Sequence, residues 1–288
     1  MLMRPSASHS CVGSSKAPSL LQGESPNPQS CRKTPGMDRP LVLLSNDDGF
    51  RATGLITLAQ ALRRHFRVVV CAPDSEQSAS SHALSLNRPL RLTRHGDDVF
   101  SVDGTPADSV YIALNEPAIL EDVPDLIISG MNHGLNLGQD VFYSGTVAAA
   151  REGALQGFPA LAVSADNQCN LAAACEDAAR IAWEIYQRHQ GQACLFNANY
   201  PPGNAWTHRA TSAGRRVYSG GLVARKDPRG RPYFWIGGDT VHHEGAQTSD
   251  TLAFDEGVVG ITPLILDLWS PSLHEAADFL CRGLGEQN

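Results

Sequence analysis

Short apolar runs that alternate with helix-period segments predict an α/β fold, a Rossmann-like, doubly wound, mainly parallel sheet with a C-terminal β-hairpin extension. Three observations lead there. Residues 41–44, 67–72, 125–129 and 159–164 form continuous apolar runs rather than alternating ones, as strands covered on both faces do. Segments with helical spacing of apolar residues fall between them, which makes the strands neighbours through crossovers. Polar, glycine-containing segments follow the strands directly, at the edge of such sheets where ligands bind.

Taken in order, the run 41–44 (LVLL) reads as the first strand, and 54–64 has helical periodicity. The run 67–72 (RVVVCA) reads as a strand that Pro73 stops. A strand at 99–102 leads to Gly104-Thr105-Pro106, where Thr105 as N-cap and Pro106 at the first helical position announce a helix to Asn115. A fourth strand at 125–129 (DLIIS) precedes a small-residue helix over 145–156, closed by Gly157. Residues 159–164 (PALAVS) are a strand and 171–189 a longer helix.

Beyond residue 198 the pattern changes. Residues 216–219 and 232–237 flank a turn-rich stretch, 220–231, and together read as a long antiparallel hairpin or arm. A strand at 258–262 follows, and Ser270-Pro271 opens a last helix to Arg282. Residues 1–36 are rich in Ser, Pro, Gln and Lys without a hydrophobic period, and read as a disordered extension. Met37, just before the first strand, is the alternative start. The remainder, 37–288, reads as one folded unit with a core over 41–200 and an extension over 210–288.

The chain has 288 residues and a formal charge of -7, so it presents no general footprint for a nucleic-acid polymer or an anionic membrane. No apolar stretch is long enough to cross a bilayer. Its seven cysteines include no CxxC pair, which argues against a zinc site or disulfide framework and favours a reducing, cytoplasmic setting.

The chemistry lies in three polar segments: Ser45-Asn46-Asp47-Asp48-Gly49, Ala72-Pro73-Asp74 leading to Ser78, and Ser129-Gly130-Met131-Asn132 through Tyr143-Ser144-Gly145-Thr146. Asn, Asp and Gly are also ordinary turn residues. Adjacent carboxylates repel one another unless a cation neutralises them, however, and carboxylate, hydroxyl and amide oxygens suit Mg²⁺ or Mn²⁺ rather than Zn²⁺. The glycines and amides around Asn132 and Asn136 let backbone N–H groups approach an anion. Ser144-Gly145-Thr146 opens a helix whose free N–H groups suit a phosphate, a role compatible with Ser144 or Thr146 capping that helix.

These segments, with Gly104-Thr105-Pro106-Ala107-Asp108 and the run SGMNHGLNLGQDVFYSGTVAAAREG over 129–153, resemble the SurE family of stationary-phase survival proteins. The resemblance is strong over 41–164, looser over 226–237 and 248–263, and does not reach 1–36. It implies a divalent-metal-dependent 5′/3′-nucleotidase, with Asp47, Asp48, Ser78 and Asn132 holding one Mg²⁺ or Mn²⁺ per subunit. It further implies Asn46, Asn136, Ser144, Gly145 and Thr146 around the phosphate, Asp47 as the catalytic group, nucleoside monophosphates as substrates, and a homodimer or homotetramer. Ala79 stands where many relatives have glycine, Met131 replaces a usual isoleucine, and Arg151 an apolar residue.

The rival reading is a nucleotide-binding oxidoreductase, or a non-catalytic nucleotide-binding module, on the same sheet. Against it, the first strand runs into Asn46-Asp47-Asp48-Gly49 and not GxGxxG. Because residues 1–36 cannot bury apolar surface, a chain begun at Met37 is expected to keep the melting temperature and rate of the full one. Loss of folding in the shorter chain, followed by circular dichroism, would refute this.

Overall fold

The computed structural model describes residues 39–219, 222–236 and 240–285. The extension expected at 1–36 lies outside the described residues. From the N-terminal side the elements are β1 (Leu41–Ser45), α1 (Thr53–Leu62), β2 (Arg67–Pro73), β3 (Leu92–Arg94), β4 (Val99–Val102), α2 (Pro106–Asn115) and β5 (Leu126–His133). A 3-10 turn at Gly138–Phe142 precedes α3 (Gly145–Leu155), followed by β6 (Pro159–Ala165), α4 (Leu171–Arg188), β7 (Cys194–Tyr200) and β8 (His208–Ala210). Then come β9 (Arg215–Ser219), β10 (Leu222–Lys226), β11 (Pro232–Ile236), β12 (Thr240–Glu244), α5 (Asp250–Asp255), β13 (Val259–Pro263) and α6 (His274–Gly285).

The main sheet has the order β3-β4-β2-β1-β5-β6-β7-β13-β8. Its six central strands, β4 to β7, are parallel; β3 pairs antiparallel with β4 and β13 antiparallel with β7, while β8 runs parallel to β13. Strand order reverses sense at β1, between β2 and β5, which places the loop after β1 at a topological switch point. The sheet is apolar on both faces because each is covered. On one side α1 and α4 pack over Val42, Leu44, Val68, Val70, Ile128 and Leu161. On the other, α2 and α3 cover Leu43, Val69, Ile127 and Ala160.

The small residues of α3 explain its approach to the sheet. A Cβ on Gly153 would lie 2.6 Å from Ile127 Cγ1, so the helix sits closer to β5 than any larger residue allows. The predicted cap of α2 forms as a full capping box, in which Thr105 accepts from the Asp108 N–H and Asp108 from the Thr105 N–H.

Three features depart from the sequence expectations. β5 continues beyond 129 to His133, with a register shift against β6 between Ser129 and Asn132, so the expected polar loop is partly strand. The last helix begins with a 3-10 turn at Pro271–Leu273 before α6. The expected arm is two antiparallel ladders, β9 with β12 and β10 with β11, so Leu222–Lys226 is strand rather than turn. The turn proper is shorter: Asp227 Oδ1 accepts from the N–H groups of Arg229 and Arg231 at 2.8 and 2.9 Å, and Gly230 takes a φ of +78°.

The arm is anchored at its root. Asp250, buried at the N-terminus of α5, accepts from the Gly138 N–H (2.8 Å) and the Gly214 N–H (2.7 Å). Arg216 reaches Asp140 at 2.7 Å, and its backbone N–H donates to Gln139 at 3.0 Å. The arm is thereby tied to the 3-10 turn that leads into α3.

Candidate active site

The β1 end brings Asp47 and Asp48 to the sheet's carboxyl edge because β1 runs straight and buried to Ser45 and then turns. Asn46 holds the turn, donating from Nδ2 to the Gly49 carbonyl at 3.0 Å. Gly49 adopts a φ of +95°, a conformation that only glycine takes without strain. The chain can then swing to the Phe50 N–H, which donates to the Pro73 carbonyl at 2.9 Å and joins the β1 loop to the end of β2.

Asp47 is 4% exposed and lies under the first turn of α3. The Thr146 hydroxyl and backbone N–H both donate to its carboxylate. Gly145 makes the approach feasible: a Cβ there would meet Asp47 Cβ at 2.8 Å and Ser80 Oγ at 3.0 Å. Burial dominates even so. It pushes the Asp47 carboxyl up to about 6, the nearby Asp48 charge adds to the rise, and the Thr146 donors only partly offset it. Asp48 is also raised, chiefly by burial and secondarily by Glu76, against the opposing His133 N–H, which donates to it at 3.4 Å.

Other predicted residues are placed as follows. The loop after β2 is drawn in by the Gln77 N–H, which donates to the Asp47 carbonyl at 2.7 Å, and Ser78 lies next to it. The Ser78 hydroxyl itself donates to Glu76 at 2.9 Å. Asn132, on the strand beside Asp48's partner His133, donates from Nδ2 to the Gly134 carbonyl at 2.9 Å. Ser144 is the N-cap of α3, accepting from the Val147 N–H at 3.1 Å. Asn136 is buried between strands: its Nδ2 donates to Ser164 at 2.8 Å, and its carbonyl accepts from Asn197 at 2.7 Å and Asn199 at 3.1 Å. That network shapes the loop that leads towards α3.

The loop carrying Ser78 is strained. Ala79 and Ser81 adopt φ values of +57° and +54°, the left-handed region, which costs a non-glycine residue about 1–2 kcal/mol. Ala79 is the position where glycine was expected from relatives, so this chain keeps the conformation without the residue that adopts it freely. Contacts hold it in place: Ser81 donates from N to the Tyr143 carbonyl (3.0 Å) and from Oγ to the Phe142 carbonyl (2.7 Å), and His82 pairs with buried Glu152 at 2.7 Å.

Sequence reasoning missed Glu76 and His133, both of which act on Asp48. Each sits inside a segment read for other residues, and nothing in the local sequence marks a loop carboxylate or histidine as facing that aspartate. Among the described residues no three His, Cys, Asp or Glu side chains group as a metal centre. The set at this edge is instead two carboxylates with hydroxyl and amide oxygens, and Asn46 Oδ1 and Ser80 Oγ are buried there without a hydrogen-bond partner among the described residues. No cationic side chain acts on Asp47. Two neighbouring carboxylates, both raised by burial, among unsatisfied oxygens fit a hard divalent cation.

A doubly wound sheet with paired carboxylates at its switch point, facing a helix N-terminus, defines an α/β protein with its candidate ligand site at the sheet's carboxyl edge. Comparison with known proteins narrows this class. The family described as "Survival protein SurE" matches residues 42–220. A protein from Sorangium cellulosum named 5'-nucleotidase SurE is 50% identical over 253 residues, covering 86% of this chain and 98% of the relative. One of the same name from Anaeromyxobacter dehalogenans is 50% identical over 231 residues, covering 78% and 90%. The crystal structure of a SurE protein from Aquifex aeolicus superposes with a TM-score of 0.73 at 32% identity, covering 84% of this chain and 99% of that one. The chain belongs to the SurE family.

The burial of Asp47 has a thermodynamic consequence with a definite sign. The folded chain retains the Asp47 proton up to about pH 6, whereas the unfolded chain releases it from its ordinary value of 3.8. Ionised Asp47 therefore destabilises the metal-free fold above pH 6, by roughly 3 kcal/mol, and this cost fades as pH falls towards 4. Asp47→Asn, which still accepts from Thr146, is expected to melt several degrees higher than the parent in EDTA at about pH 7.5, with no gain near pH 4. Thermal scans across that range test this, and a variant less stable at neutral pH would contradict it.

Proposed function

We propose that this protein is a divalent-metal-dependent phosphomonoesterase that hydrolyses nucleoside 5′- and 3′-monophosphates to nucleoside and phosphate. The observation that carries the reading is the buried Asp47, raised in pKa, beside Asp48 and directly beneath the N-terminus of α3. The relatives named 5'-nucleotidase SurE support the substrate class. The oxidoreductase alternative finds no support: two carboxylates stand where a pyrophosphate would have to approach.

Asp47, Asp48, Ser78 and Asn132 would hold one Mg²⁺ or Mn²⁺, with the Ser78 hydroxyl turning away from Glu76. When bound, such an ion supplies Lewis-acid polarisation of the phosphoryl oxygens and a more acidic water. The chain's own residues do the rest. Ser144, Gly145 and Thr146 present a helix N-terminus to the phosphate, whose charge the dipole favours. Asn46 and Asn136 shape the two loops that flank it. Both donors of Thr146 are held by Asp47, so a bound phosphate would compete with Asp47 for them. Asp47 is the group that would orient the attacking water and accept its proton, as the buried carboxylate held against the first turn of α3.

Turnover of AMP and p-nitrophenyl phosphate with Mg²⁺, Mn²⁺ or EDTA tests this. Asp48→Asn is expected to lose 10²-fold or more in rate, about the effect of removing a few kcal/mol of transition-state stabilisation. Full rate in EDTA, or in the variant at saturating Mn²⁺, would sink the assignment.

The enzyme is further proposed to work in the cytoplasm as a homodimer or homotetramer joined through the arm. Cys71, Cys169, Cys175, Cys194 and Cys281 are free thiols, as suits a reducing compartment, and no helix among the described residues is long and apolar enough to cross a membrane. In the arm, Phe234, Trp235 and Ile236 are 57%, 65% and 91% exposed, an apolar surface that a lone subunit would leave wet. Deleting residues 222–231 together with Trp235→Ser should give smaller species in light scattering. A parent chain that is monomeric at micromolar concentration would end the idea.

A further inference from the structure

A cavity of about 470 Å³ opens beside the aspartates, with Asp48 and Asn132 in its wall. That volume is more than a phosphate needs and lies within the range of small-molecule sites. The same lining includes Asp166 and Asn167, which follow β6, and the apolar side chains of Met131 and Leu171. Pairing of β5 with β6 sets His133 beside Ala165, and the Gly134 N–H donates to the Ala165 carbonyl at 3.0 Å. Asp166 therefore emerges one residue further on, a strand spacing of roughly 4.8 Å from the segment that carries Asn132.

Asp166 is poised to accept. The Gln168 N–H donates to its Oδ1 at 2.8 Å, which fixes the carboxylate in a turn, while Oδ2 has no partner among the described residues. A second carboxylate in the wall that holds Asp48 is a poor neighbour for a phosphate but a good acceptor for hydroxyl donors. A nucleoside monophosphate carries both features: a phosphate for the edge that bears Asp48 and Asn132, and sugar hydroxyls a few ångströms from it. The lining holds no Phe, Tyr or Trp, so a base would be held by apolar contact rather than by stacking.

We propose that this cavity receives the nucleoside and that Asp166 accepts hydrogen bonds from the ribose hydroxyls, making it the residue that separates ribonucleotides from 2′-deoxyribonucleotides. The proposal rests on the nucleotidase reading for its substrate class. Sites built to bond a hydroxyl discriminate against analogues that lack it, and for a half-buried carboxylate open to water the preference is expected to be about tenfold.

The test compares the parent, Asp166→Asn and Asp166→Ala in two assays. One is equilibrium binding of adenosine and 2′-deoxyadenosine by calorimetry, the other turnover of AMP, dAMP and p-nitrophenyl phosphate. The parent should bind adenosine about tenfold tighter than 2′-deoxyadenosine. Asp166→Ala should abolish that ratio and raise KM for AMP about tenfold, with p-nitrophenyl phosphate turnover within twofold of the parent. Asp166→Asn, which retains the turn to Gln168, should keep the parent's melting temperature and still lose most of the ratio. Equal loss on p-nitrophenyl phosphate and AMP, an unchanged ratio in both variants, or a parent blind to the 2′-hydroxyl would overturn the proposal. A parent that hydrolyses nothing would retire the nucleotidase reading, while the binding ratio would still decide the role of Asp166.

Discussion

The contact between Asp47 and the first turn of α3 is the constraint on which the site depends. It joins the central strand of the sheet to the helix that offers N–H donors, and it requires a glycine at 145, a threonine at 146 and a helix narrow enough to lie close to β5. The small side chains of α3 are thus not merely good helix formers. They bring a positive helix end within reach of a carboxylate whose ionised form burial disfavours. The same closeness makes the site costly to the fold, an expense common where reactive groups are held away from water.

Much of the architecture was legible because parallel strands covered on both faces leave an unbroken apolar signature, and because Thr105-Pro106 and Gly157 punctuate helices plainly. β7 was harder. Cys194–Tyr200 mixes asparagines into its buried run, since Asn197 and Asn199 turn inward to hold the loop at Asn136. A strand whose polar residues serve a neighbouring loop carries no clean period. The arm misled for a related reason: with every residue of β10 exposed, no alternation distinguishes Leu222–Lys226 from a turn.

The sequence pointed to candidate residues more than to their arrangement. Asp47, Asp48 and Thr146 do meet, as their positions at strand and helix ends imply. Ser144 caps α3 through the Val147 N–H three residues on, as its position implied, whereas Asn136 is braced by Ser164, Asn197 and Asn199, partners 28 to 63 residues away that spacing along the chain does not encode. Ala79 is the instructive case. Its left-handed backbone is imposed by the contacts of Ser81 and His82, so the loop's shape belongs to the tertiary structure and tolerates the loss of glycine.

The two margins of the main sheet bear on how such molecules avoid sticking together. Each ends in a strand of three residues, β3 on one side and β8 on the other. Strands so short offer few free backbone groups to an incoming chain, and Arg94 and Arg209 add charge to both borders. Growth of the nine-stranded sheet into a fibrous stack is therefore discouraged at either end, and the open backbone of the molecule is concentrated in one projecting element.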